Sequence, residues 1–398
     1  MIHIPKLLIE DVVEEHINEV LPYIVNGIKF FINIIVTIKN ARLQCTLNEL
    51  KVNLGVDKRR YIAELNCIRG SAHKVINIKH DTVIDFDNRK FNNYFISKID
   101  LYHKFFKYLL KNNNKKLKQI LKSEPYRLER IYDGLEWNFD EIFFVTNDEK
   151  KFVCDLLSII FNYESVINNK SSKWNGYDLA TRLDITVCPY CNRSYIFTVI
   201  SRDKEIVRPE FDHFYCKSLY PIFSLSFYNL IPSCSICNKK KSNTDFLKKQ
   251  KGLHPYYEGY GNNAFFTYEI KDLDTFEGEK EAVKVKLQIN HDPDGKISIN
   301  NKVFAISAIY EYHNDIVADL LYRGKTYTKS VIEDIVETLN NGESTKVSEE
   351  EVFNLIYNYS SDEDIPKRSL GKLHKDIVDR MKWDVSFFSS AHMSLSKK

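Results

Sequence analysis

Four cysteines fall in two pairs of identical spacing, Cys188 and Cys191 in "CPYC" and Cys234 and Cys237 in "CSIC". A Cys-x-x-Cys turn presents two sulfurs to one point, and two such turns supply the four thiolates of a tetrahedral structural zinc site. One pair alone also suits a redox protein, whereas two pairs in one chain favour a metal. Between and after them lie "FDHFYCKSLYP", "SFYNLIPSC" and "NKKK". They supply Asp212 and His213, then Asn229, then Asn238, with Lys217, Lys239, Lys240 and Lys241 alongside. Hydrolysing a phosphodiester takes a base for water, a cation on the phosphate and contacts that orient the backbone. An imidazole ordinarily titrates near neutrality, so His213 can be the base. Asp212 and Asn238 are hard oxygen donors of the kind magnesium or manganese takes. Asn229 can orient the histidine or hold the loop closed, and the lysines can meet phosphates.

Those residues need rigid neighbours. "NDEKKFVCDLLSIIFNYESVI" predicts an amphipathic helix before the first cysteine pair. "RSYIFTVI" and "KEIVRPEF" predict strands joined by the turn "SRDK". The alternating "AVKVKLQI" (282–289), the turn "HDPDG" and "KISI" predict a second hairpin. Helices are expected after it, one opened by a Ser348/Glu351 capping box and the last over "LGKLHKDIVDRMK". Upstream, residues 1–140 are expected to form a mainly helical region, with one helix running up to Pro22. The apolar run 27–40 is expected to be buried core, and residues 46–70 carry a weak helix-turn-helix rhythm. Residues 141–398 then hold the chemistry.

The chain has 398 residues and a formal charge of only +3, so any polyanion-binding surface must be local. Residues 101–123 hold seven lysines and no acid, and 239–251 hold six lysines against one aspartate. Each can be a solvated face or a nucleic-acid or partner contact. The N-terminal residues lack the apolar core of an export signal, and no run is apolar for the roughly 20 residues a membrane span needs. A cytoplasmic protein without a membrane contact is expected. Of the remaining cysteines, Cys45, Cys67 and Cys154 read as small core residues.

In this order the motifs resemble the zinc-braced HNH endonucleases of the ββα-metal class. The resemblance implies a strand ending at Asp212-His213, a loop, a strand starting near Asn229 and a helix starting near Cys237. It further implies His213 as general base, Asn229 as structural asparagine, Asp212 and Asn238 as ligands of a catalytic Mg2+ or Mn2+, and the four cysteines on Zn2+. "CPYCNRSYI", "DHFYCKSLYP", "SFYNLIPSCSICNKKK", "LHPYY" and "LGKLHKDIVDRM" are similar to PtuB-type HNH effectors of Septu and retron anti-phage systems. Those usually carry proline where this chain has Cys216, and they often work with a partner ATPase. His254 of "LHPYY" can support the site or be a core histidine. The fold expected is α+β: a helical N-terminal region, then a ββα-metal core with a four-cysteine zinc site, surrounded by helices and a hairpin. The function expected is a metal-dependent nuclease on DNA or RNA in anti-phage defence. The alternatives are a zinc-ribbon nucleic-acid-binding module and a nuclease subunit dormant until a partner assembles.

Overall fold

The structure, a computed structural model, describes residues 1–4, 9–42, 76–79, 83–86, 97–143, 145–201, 204–341 and 346–381. The possible helix-turn-helix at 46–70, Cys45 and Cys67 lie outside the described residues. Within them the architecture is α+β: many helices around four separate two-stranded antiparallel sheets.

The first helix, Glu10–Arg42, runs straight through Pro22, where the sequence predicts its end. Proline removes one backbone donor, but the apolar stripe continues on both sides of it. Val20, Ile24, Ile28, Phe31 and Ile35 are all buried at a spacing of three or four residues. That stripe packs on the helix Ile99–Lys122, where Phe31 meets Phe106 at 6.0 Å. The second helix is interrupted at Asn112, Asn113 and Asn114, all with positive φ. Asparagine tolerates that left-handed backbone better than most residues, so the lysine-rich stretch is two helical pieces. The N-terminal region also contains a small hairpin, Ile76–Lys79 against Val83–Phe86.

The hairpin expected at 282–299 is a different one. Val283–Ile289 pairs with the preceding strand Ala264–Ile270, while Lys296–Phe304 is helical. Asp294 and Gly295 take positive φ and end the extended run. The Asp292 carboxylate accepts from the backbone N–H groups of Ile297 and Ser298, at 2.7 and 2.9 Å, and nucleates the helix. Ile297, Asn300 and Phe304 then face the core at helical spacing, which the four-residue window "KISI" is too short to reveal. The capping box at Ser348 and Glu351 is present, with Ser348 N–H donating to Glu351 Oε2 at 2.8 Å. A helix over 371–381 closes the described chain.

One hydrophobic core includes side chains from both sides of residue 140. His16 on the first helix reaches Leu225, far along the chain, through Nε2 to its carbonyl at 2.8 Å, and Trp174 Nε1 donates to Nδ1 at 3.0 Å. A carbonyl only accepts and an indole N–H only donates, so this buried imidazole is neutral with both nitrogens satisfied. Burial lowers its pKa to about 4. Among the described residues, no helix is long and apolar enough to cross a membrane.

Candidate functional site

The two cysteine turns converge. The sulfurs of Cys188, Cys191, Cys234 and Cys237 lie within 4.8 Å of one another, and all four residues are buried. Four sulfurs about 2.3 Å from one metal would stand about 3.8 Å apart, so the cluster can hold an ion such as zinc. Each turn already shows an N–H aimed at sulfur: Arg193 N to Cys191 Sγ at 3.4 Å and Cys237 N to Cys234 Sγ at 3.5 Å. Thiol hydrogen bonds from its three neighbours hold the Cys191 thiol far below the ordinary value, whereas burial pushes Cys188 up. A dication would replace those shared protons.

The first turn also organises its surroundings. Asn192 takes φ of +50°, and its side chain donates to the carbonyls of Ile365 and Arg368 while accepting from Lys372 N–H. The turn thereby caps the helix at 371–381. Tyr190, between the two cysteines, stacks on Phe304 at 4.3 Å.

From this base rises an antiparallel pair, Glu210–His213 with Leu230–Ser233, in the register Asp212 to Ile231 and His213 to Leu230. The helix Ser235–Lys241 follows directly, N-capped by Cys234. The intervening loop is locked by Asn229, which is fully buried. Its Oδ1 accepts from Tyr215 N–H at 2.6 Å, and its Nδ2 donates to the carbonyls of Tyr215 and Phe223 at 3.1 and 2.9 Å. Its own carbonyl accepts from Phe214 N–H.

Strand alternation points Asp212 and His213 in opposite directions. The His213 ring packs edge-on against Tyr163 at 4.6 Å, and its Nε2 donates to the Ser224 carbonyl at 3.0 Å. That bond fixes the tautomer and leaves the neutral ring's lone pair on Nδ1. Burial, with Lys217 and Lys241 adding to it, lowers the His213 pKa to about 3, so the imidazole is neutral at physiological pH. Asp212 is also buried, but both its oxygens are engaged. Tyr190 O–H donates to Oδ2 at 2.7 Å and Lys241 Nζ to Oδ1 at 3.1 Å. Burial raises the Asp212 carboxyl above its ordinary value, against the pull of Lys241 and Tyr190. Lys241 Nζ also donates to the His213 carbonyl at 2.5 Å.

Lys241 is therefore not a companion of its two neighbours. Its side chain is fully buried, whereas Lys239 and Lys240 are exposed on the same helix. Helical periodicity turns it onto the strand, and Asp212 neutralises it there. Removing one partner from such a buried ion pair costs about 3–5 kcal/mol. Asn238 is three residues earlier, and its Nδ2 donates to Glu210 Oε2 at 2.7 Å. Glu210 lies in the predicted strand segment "KEIVRPEF" but is not among the candidate site residues. It is two residues before Asp212 on the same strand, and the period-2 rule is the signal that points to it. Lys217 pairs with Glu164 at 2.5 Å. His254 is buried against Phe214 at 4.2 Å, and its Nδ1 accepts from Tyr256 N–H at 3.3 Å, as a core histidine does. Cys216 Sγ meets Ser218 Oγ at 3.0 Å and Asn243 Oδ1 at 3.2 Å, which ties this part of the loop to the residues after the helix. Cys154 is half-buried, and its thiol donates to the Leu219 carbonyl at 3.8 Å.

No family model and no solved structure matches the chain. Among curated proteins, a stretch of 112 residues is 27% identical to Septu protein PtuB of Bacillus thuringiensis. That stretch is 28% of this chain and 42% of that protein, so the match spans less than half of the relative's length. The similarity is distant and partial.

Proposed function

We propose that the chain is a metal-dependent HNH endonuclease that hydrolyses phosphodiester bonds in DNA or RNA as an effector of anti-phage defence. One observation carries this reading: the strand pair Glu210–His213 and Leu230–Ser233 runs straight into the helix Ser235–Lys241, bracketed by the four-cysteine cluster, with a buried histidine of fixed tautomer at the end of its first strand. His213 Nδ1 takes a proton from water as the water oxygen adds to phosphorus and the bond to the leaving oxygen breaks. Ser224 keeps the imidazole oriented through Nε2, and Asn229 keeps the loop that carries Ser224 closed. A magnesium or manganese ion supplies positive charge at the phosphate when bound. Asn238 Oδ1 and an acid of the neighbouring strand would hold it. Glu210 is the exposed acid beside Asn238, whereas Asp212 is buried and committed to Tyr190 and Lys241. Zinc in the cysteine cluster is scaffolding, since four thiolates leave it no open position.

The distant similarity to Septu protein PtuB supports the defence role, and the resemblance to such effectors adds a partner ATPase to the proposal. A second reading, a nuclease dormant until that partner binds, has its own observation. His213 is only 8% exposed, with the Tyr163 ring against it. Its mark is a purified chain that cleaves only after the ATPase is added.

The test is incubation of purified protein, with magnesium or manganese, against plasmid, single-stranded DNA and transfer RNA. His213→Ala is expected to lose cleavage about 10²–10⁴-fold with metal content unchanged and the fold retained. Cleavage at the wild-type rate by that variant would sink the nuclease reading and leave a zinc-braced binding module.

A further inference from the structure

Beside His213 lies a group of side chains of which only Lys217 belongs to the motifs. Arg208 stands just before the site strand, its guanidinium 5.7 Å from the ring centroids of both Tyr177 and Phe211. One Nη donates to the Pro209 carbonyl at 2.8 Å and the other to Asn168 Oδ1 at 2.7 Å, and the group also faces the Tyr163 hydroxyl. Gly176 makes room for it, because a Cβ there would fall 2.7 Å from the guanidinium carbon. Among the described residues, no carboxylate forms an ion pair with Arg208. On the other side, Lys217 Nζ sits 4.8 Å over the Tyr163 ring and pairs with Glu164 Oε1. Asn168 Nδ2 donates to Glu164 Oε2 at 2.6 Å. A chain Lys217–Glu164–Asn168–Arg208 results, and both its ends touch the tyrosine that covers His213.

We infer that Arg208 and Lys217 form a subsite for a backbone phosphate of the nucleic acid entering at His213, and that Glu164 is the internal anion which that phosphate displaces. This deepens the nuclease reading and rests on it. A guanidinium held flat by two rings and an amide is preorganised for the oxygens of a phosphate, and the lysine adds a point charge. The Lys217–Glu164 pair is about half exposed on both sides, and ion pairs so exposed contribute little, so exchanging the carboxylate for a phosphate meets small resistance. The phosphate then gains both cations, whereas Glu164 holds one.

Binding of a short fluorescein-labelled DNA strand, its duplex and the RNA equivalent, with calcium in place of magnesium, is measured across a range of salt. Arg208→Gln is expected to weaken binding roughly tenfold and to reduce the salt slope by about 1, while Arg208→Lys keeps the slope. Lys217→Gln should weaken binding too, and Glu164→Gln should tighten it several-fold. Wild-type affinity and slope in Arg208→Gln overturn the subsite. If Arg208→Gln fails to fold, the two exposed positions decide: no opposite-signed change between Lys217→Gln and Glu164→Gln overturns it equally. The outcomes separate the two levels. A wild-type protein that cleaves while these variants bind unchanged loses only the subsite; one that neither binds nor cleaves any probe loses both readings.

Discussion

Two antiparallel pairs with strands of nearly the same length follow one another in the chain and meet opposite fates. Val199–Ser201 with Lys204–Val207 leaves Val199, Ile200, Ile206 and Val207 exposed. Glu210–His213 with Leu230–Ser233 is buried at every position except Glu210. Both are short antiparallel pairs, and the exposed one is the richer in β-branched residues, so pairing and β-propensity do not by themselves make a site. The difference is cover. The second hairpin lies on the cysteine turns, has a helix across one face, and has its loop tied from within by Asn229 and from the first helix by His16. Burial is what gives Asp212 a charged partner and His213 a fixed tautomer. The first hairpin has comparable strands and no such cover among the described residues.

That contrast can be broken at its base. Stripping metal with a chelator, or Cys237→Ser, should have the largest effect, since structural zinc contributes on the order of 10 kcal/mol in small sites. Hydrogen exchange is expected to lose protection across 210–213 and 230–233, and to change little across 199–207. Protection that survives at 210–233 without metal would mean that the core alone covers the hairpin.

A smaller effect comes from the loop. Asn229→Ala deletes three buried hydrogen bonds and should destabilise by roughly 3 kcal/mol, because stranded buried partners cost about 1–3 kcal/mol each. Thermal unfolding measures it, and a loss under about 1 kcal/mol would show the loop held chiefly by apolar packing.

His16 offers a pH test of the clamp from the first helix. Its folded pKa of about 4 lies below the ordinary histidine value, so the unfolded chain binds the proton first. Stability is therefore full above about pH 6.5 and falls as pH drops toward 4, by about 1 kcal/mol between pH 6 and 5 from this residue. Urea melts of His16→Gln against wild type should show a shallower decline over that window. Equal slopes would remove His16 from the clamp.

The smallest effect belongs to the exposed hairpin. Ile206→Thr should change stability by less than about 0.5 kcal/mol, as surface changes usually do. A larger loss would reveal cover that the described residues do not show.

Much of the site is legible one residue at a time. Cysteine spacing announces the cluster, and the family resemblance that the Asp-His, Asn and Cys-x-x-Cys-Asn order carries implies a strand, a loop and a helix. The strand at 282–289 invites the wrong partner because four residues of alternation look the same in a strand and in a helix whose caps are not yet seen. Lys241 reads like Lys239 and Lys240 because a run of like residues hides which one faces inward. Pro22 reads as an end because the donor it lacks is local, while the stripe that outweighs it spans the whole helix.

By itself the sequence determined what is local: residue chemistry, the turns that pair the cysteines, the caps, and the apolar spacing of the long helices. Only the tertiary structure decided what meets across the chain, such as His16 with Leu225, Tyr190 and Lys241 with Asp212, and Glu164 with Lys217. The physical reason is that spacing and propensity act over a few residues, whereas burial and partner charge depend on contacts between distant segments. Those contacts set which partners a buried aspartate has, and which nitrogen of a histidine keeps its lone pair.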